Sequence, residues 1–150
     1  MTPHFSLPEL TRSAKAQALG IDNTPTPAAL ANLRATANML ERIRAALGAP
    51  LVITSAYRCP ALNAAVGGRT SSDHQQGEAA DFVAPGCGTP YDVCRALAPQ
   101  VSVLGIGQLI LEGVGGKQWV HVSTRVPLKP VNRVITITDA GAQLGIQELT

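Results

Sequence analysis

The sequence predicts an α+β domain, with helices packed on one face of a mainly antiparallel sheet. Three observations predict it. Helical patterning fills the first 50 residues, and β-branched, alternating segments take over after them. Only one further helix of any length falls among those segments. Two of them are joined by "GVGGK", a glycine-rich link that suits a hairpin and not a crossover.

The elements follow in order. "FSLPELTRSAKAQALGI" reads as a helix, with Pro8 near its start, Leu10, Ala14 and Ala18 at helical spacing, and Gly20 as its stop. "DNTPTP" is a turn cluster. After Pro27, "AALANLRATANMLERIRAALGA" sets Leu30, Leu33, Ala37, Leu40, Ile43 and Leu47 on one stripe. Thr26 is placed to cap this helix and Gly48 to end it. "PLVITSAYR" then reads as a strand. A long broken segment follows, with a short helix in "PALNAAV", and "EAADFVA" is the second strand. "TPYDVCRALAPQV" is a helix with Thr89 as cap and Pro90 at its first position. "GQLILE" and "QWVHVS" are paired strands, "NRVITITD" is a last strand expected at an edge, and signals are weak from Ala140 on. One domain over residues 1–150 is expected, with its core over about 5–125 and a C-terminal strand and tail over 126–150.

Composition removes several classes. A 45% apolar, 15% charged chain is not a disordered one. A net charge of +2 gives no footprint for nucleic acid or an anionic membrane. Cys59, Cys87 and Cys94 are odd in number and lack C-x-x-C spacing, so a disulfide framework and a structural zinc finger are not expected. Buried free thiols are the simpler reading. The start, "MTPHFSLPELTRSAKAQ", has no basic-then-apolar signal pattern, and no apolar run is long enough to span a bilayer. Cytoplasmic synthesis is the expectation.

The chemistry concentrates in "SSDHQQGEAADF". In the strand "EAADFVA", Asp81 alternates against Ala80 and Phe82. In "WVHVS", His121 shares a face with Trp119 and Ser123, and Val120 and Val122 take the other. With the apolar sides on the helices, Asp81 and His121 emerge together on the open face. His74, in the loop before the first of these strands, can swing in as a third ligand if Gly77 turns sharply. Two imidazoles and a carboxylate are a catalytic-type zinc set with a position left for water. Such an ion polarises a carbonyl and lowers the pKa of its water to about 7. Taken singly, each residue has a plainer reading: His74 as a solvated loop residue, Asp81 as a turn cap. His4, near the chain start, is expected to be solvated.

"SSDHQQGEAADF" and "WVHVS" together resemble the M15 family of zinc peptidases, D-alanyl-D-alanine carboxypeptidases and related peptidoglycan peptidases including phage endolysins. The family pattern S-x-H-x-x-G-x-A-x-D is filled by Ser72, His74, Gly77, Ala79 and Asp81, and the later W-x-H by Trp119 and His121. "TSAYRCPALNAAVGG" resembles the family's preceding segment, where S-x-Y-R is common. The likeness runs over about residues 5–125 and is nearest to phage and prophage proteins. It implies a Hedgehog/DD-peptidase-like fold with one Zn²⁺ on the open face, held by His74, Asp81 and His121. It places Arg58 beside the reacting carbonyl, and Ser72, Tyr57 and Trp119 near substrate or in support of Arg58. Many relatives carry an acid where Gln118 stands, and Gln118 cannot take a proton. The phage-like branch instead carries a glutamate that Glu112 matches. If Gly115-Gly116 form a two-residue turn, Glu112 pairs with Trp119 and Ile110 with His121, which puts Glu112 one diagonal step from His121. A three-residue turn would spoil this. Asp73 and Glu78 are expected to be solvated.

The function so implied is zinc-dependent hydrolysis of peptidoglycan stem peptides, of endolysin or D,D-carboxypeptidase type. The expected partners are peptidoglycan peptides, with no nucleic acid and no membrane, and the expected state is a monomer. The expected place of action is the cell wall, in phage or prophage lysis or on a virion. Two alternatives stand beside it: a non-catalytic zinc-containing wall-binding or phage structural module, and a zinc peptidase or amidase with a non-wall substrate.

Overall fold

Alternation of apolar and polar residues along the strands gives one sheet two unlike faces. The computed structural model describes residues 1–149. Six strands form the sheet: β1 (Val52–Ser55), β2 (Ala79–Val83), β3 (Gln108–Val114), β4 (Lys117–Ser123), β5 (Val134–Thr138) and β6 (Gly141–Leu144). Their spatial order is β1-β2-β4-β3-β5-β6. All neighbours run antiparallel except β3 and β5, which are parallel.

Six α-helices accompany them: α1 (Leu7–Thr11), α2 (Ala14–Leu19), α3 (Pro27–Leu47), α4 (Pro60–Ala65), α5 (Pro90–Leu97) and α6 (Val101–Leu104). Leu33, Ala37, Leu40 and Ile43 of α3 form one buried cluster with Ala80 and Phe82 of β2, Leu109 and Leu111 of β3, and Val120 and Val122 of β4. Burying a side chain such as Phe82 contributes about 1.5–3 kcal/mol. The core lies on the helix side, and the alternate residues Asp81, Ile110, Glu112, Trp119 and His121 line a groove on the other. This is the α+β arrangement the sequence implies.

Several boundaries differ from expectation. The first helix is two, because the Ser13 side chain accepts from Ala16 N–H and starts a new turn. Leu10 and Ala16 face inward, whereas Ala14 and Ala18 are exposed. The strand after residue 130 is not at an edge. The weakly patterned tail turns back as β6, and Ile146 and Leu149 pack against the core beyond it. His4 is exposed, as expected, and it also holds Glu41: its backbone N–H donates to Glu41 Oε1 at 2.8 Å, and its Nδ1 lies 2.9 Å from Glu41 Oε2. All three cysteines are free, but only Cys94 is fully buried. Among the described residues, no helix is long and apolar enough to cross a membrane.

The hairpin takes the two-residue turn. Gly115 and Gly116 have φ of 62° and 77°, the left-handed values a two-residue hairpin turn needs. Glu112 therefore pairs with Trp119, and Ile110 with His121.

Candidate metal centre

Asp81 and His121 lie directly opposite each other across β2 and β4, and Ser55 of β1 is opposite Asp81 on its other side. Their side chains stand on the groove face because their neighbours Phe82 and Val120 fill the core. His74 comes from a 3-10 turn over Asp73–Gln76 that precedes β2. Two bonds hold this turn on α3: Thr36 Oγ1 donates to Gly77 O at 2.7 Å, and Asn32 Nδ2 to Gln76 O at 2.8 Å. Gly77 closes the turn at φ 76°, against the Ala29 carbonyl and 3.1 Å from Leu33 Cγ where a Cβ would stand.

The donor atoms converge. His74 Nε2 is 3.3 Å and His121 Nδ1 2.8 Å from Asp81 Oδ1. One ligand atom from each residue lies within 4.8 Å of the others, and all three side chains are buried. His74 Nδ1 is 2.6 Å from Ala56 O. A carbonyl only accepts, so Nδ1 carries a proton, which leaves Nε2 as the nitrogen that can ligate a metal. Ligands about 2.0–2.1 Å from a tetrahedral zinc ion are about 3.3 Å from one another; the His74–Asp81 pair stands at that distance and the His121–Asp81 pair is closer, at 2.8 Å. The site could therefore hold one metal ion on two nitrogens and an oxygen.

The charges of the group act on one another at close range. Burial alone would raise the Asp81 carboxyl, but the two facing imidazoles outweigh it and hold it well below the carboxylate range. Burial alone would lower His121, yet the Asp81 hydrogen bond and the Asp81 and Glu112 charges leave its pKa raised. Glu112 Oε1 is 3.7 Å from His121 Nδ1. Burial pushes the Glu112 carboxyl upward, against the pull of the His121 charge.

Arg58 flanks the group. Its Nε donates to Asn63 Oδ1 at 3.1 Å, Nη1 to Ser55 Oγ at 3.4 Å and Nη2 to Ser72 Oγ at 3.3 Å. All three acceptors are neutral. Burial lowers its pKa, and the Asp81 and Glu112 charges act the other way.

The structure brings His74, Asp81, His121, Glu112, Arg58, Ser72 and Trp119 around one groove of about 730 Å³. The indole Nε1 of Trp119 is buried without a hydrogen-bond partner among the described residues. Tyr57 is not in this groove: its ring is buried beside a neighbouring cavity, and its N–H donates to Leu10 O at 2.9 Å. Gln118 alternates onto the face opposite His121, so an acid in its place would not reach the group in this register.

Asp73 is a correction. It is buried, not solvated, and its carboxylate accepts from Ser123 Oγ at 2.8 Å and from Arg125 Nε at 2.6 Å. Glu78 is only half-exposed, and its pKa is raised by burial and then by Asp73. Sequence reasoning also passed over Asn63 and Asn23. Asn63 is buried and joins Arg58 to the Arg69 carbonyl. Asn23 donates to the Thr11 and Tyr57 carbonyls and accepts from Cys59 N–H, which fixes the backbone either side of Arg58. The turn cluster "DNTPTP" gave a local reason for Asn23 and hid this long-range one.

A family model described as Peptidase M15 matches residues 3–123. No curated protein sequence matches the chain significantly. The matched region runs from the N-terminal helices through β4 and takes in every residue of the candidate centre. With a nitrogen–oxygen donor set of the kind zinc takes, the chain belongs to the M15 peptidase family and is a zinc metallopeptidase.

Proposed function

We propose that this domain hydrolyses peptide bonds in the stem peptides of bacterial peptidoglycan, with His74, Asp81 and His121 holding one zinc ion. The observation that carries the proposal is the position of Glu112, whose Oε1 lies 3.7 Å from His121 Nδ1 on the wall of an open groove. That is within reach of a water in the same groove. When bound, zinc supplies a Lewis acid that polarises the scissile carbonyl and acidifies water.

The chain's own residues do the rest. Glu112 takes the proton of the attacking water and returns it to the leaving nitrogen. Burial raises its carboxyl pKa, the direction that favours taking a proton from water. Arg58 is fixed by three neutral oxygens, so its charge is not spent on a carboxylate. It donates to the oxyanion as charge develops there. Ser72 orients Arg58, and its Oγ also accepts from His74 N–H, which links the arginine to the turn carrying a ligand. Trp119 walls the groove with its ring. Action on the cell wall, in the manner of an endolysin or a carboxypeptidase, is part of the same proposal.

Mass spectrometry of purified muropeptides after digestion, with and without a chelator, tests it. Wild type is expected to cleave a stem-peptide bond, and chelation to abolish cleavage. Glu112→Gln is expected to retain zinc and lose about 100-fold or more in rate. Equal cleavage by Glu112→Gln would remove Glu112 from the mechanism. Zinc bound with no stem peptide cut would favour a wall-binding module instead.

A further inference from the structure

We propose that a second cavity, bounded by Arg12, Lys15 and Arg58, is an anion-accepting subsite that takes a carboxylate of the peptide substrate. The proposal rests on the stem-peptide reading above and specifies what that substrate must carry.

The cavity is about 490 Å³, and α2, β1 and α4 all contribute to its wall. Three cations line it, and its lining contains no Asp or Glu. Ser13, Thr54 and Ser55 add hydroxyls, and Ile53, Leu62 and Val66 add an apolar wall. Among the described residues neither Arg12 nor Lys15 makes an ion pair. The acceptors of the Arg58 guanidinium are likewise all uncharged. Cations around a concave, partly apolar wall with no acidic residue raise the local positive potential and attract an anion.

The cavity also continues the groove. Arg58 lines both. Ser55, in the second cavity's wall, is opposite Asp81 in the strand register. Adjacent strands are about 4.8 Å apart, and an extended peptide advances about 3.4 Å per residue. A carboxylate one or two residues from the scissile bond would therefore pass over Arg58 and meet Arg12 and Lys15. Such a carboxylate has two sources in a stem peptide: an internal acidic residue, or the free C-terminus.

The test uses one stem pentapeptide in four forms, with the α-carboxylate of the glutamyl residue free or amidated and the C-terminus free or amidated. Each is given to wild type and to the double variant Arg12→Gln/Lys15→Gln. Steady-state rates are read together with ¹⁵N amide shifts of Ser13, Thr54 and Val66 on titrating the peptides into chelated protein. Amidation at one of the two positions is expected to raise the wild-type KM about tenfold or more, and that position identifies the source. The double variant is expected to give the acid and amide forms the same KM and to lose the carboxylate-dependent shifts. The wild-type preference should also shrink as ionic strength rises. Cleavage of all four forms with one KM and no cavity shifts would overturn the subsite and leave the peptidase reading standing. Carboxylate-dependent shifts with no cleavage of any form would keep the subsite and overturn the stem-peptide reading.

Discussion

Replacing Gly77 with alanine should destabilise the domain and weaken its metal centre in one step. The cost has two parts. At φ 76° an L-residue sits in the left-handed region, a penalty of about 1–2 kcal/mol. A Cβ there also drives into the Ala29 carbonyl and against Leu33 Cγ at 3.1 Å, and both belong to α3, where Leu33 is fully buried. The turn must lift, which breaks the buried bond from Thr36 Oγ1 to Gly77 O and leaves its groups unpaired, at about 1–3 kcal/mol. The sum is about 2–5 kcal/mol, a large share of the stability of a domain this size. Gly67→Ala separates the parts, because Gly67 has φ 74° but nothing within 4 Å of a Cβ. Urea unfolding should show the Gly77→Ala midpoint lower by about 1 M or more, and the Gly67→Ala midpoint lower by a clearly smaller amount. Zinc affinity should fall about tenfold or more in Gly77→Ala only. Equal midpoint shifts for the two variants would refute the claim that contact with α3 holds the His74 turn.

Other consequences can be checked independently. Asp92 accepts from Thr89 N–H at 2.8 Å and from Thr89 Oγ1 at 2.9 Å, and these bonds hold its carboxyl below the usual range. A depressed folded pKa means that its contribution is present above the unfolded value of about 3.9 and is lost as pH falls through the folded one. Asp92→Asn should therefore unfold at lower urea than wild type at pH 7, and the gap should close in acid; a gap unchanged at pH 2 would contradict this. Cys94 is fully buried, and burial pushes its thiol up to about 12. At pH 8 a thiol reagent should modify Cys59 and Cys87 in the native protein and Cys94 only on unfolding, and equal rates at all three would contradict the burial. Asp73→Ala should cost about 1–3 kcal/mol in urea unfolding, because the buried Ser123 hydroxyl loses its acceptor; an unchanged midpoint would return Asp73 to a solvated role.

Local signals carried much of this architecture. The α3 stripe, the caps at Thr26 and Thr89 and the alternation in "AADFV" and "QWVHVS" could be read directly, since each depends on near neighbours. The position of Glu112 was legible for the same reason: two glycines set the turn, and the turn sets the register. What could not be read depends on distant partners. Ser13 starts a second helix through its own side chain, but only the packing of Leu10 and Ala16 decides which faces turn inward. β6 buries none of its four residues and exists because β5 offers it an edge. Asp73 looks like any loop acid until Ser123 and Arg125, some fifty residues on, are folded against it. Asn63 and Asn23 serve the site by bonding Arg58 and the backbone around it, and such bonds leave no mark in a motif.

The most direct test of the account is the zinc content of the purified chain, measured by atomic emission for wild type, His74→Ala, Asp81→Ala and His121→Ala, with circular dichroism to verify folding. The account predicts one zinc per wild-type chain and a folded but zinc-poor protein for each variant. Full zinc in any folded variant, or none in wild type at equilibrium with excess zinc, would contradict the assignment of the metal to these three residues.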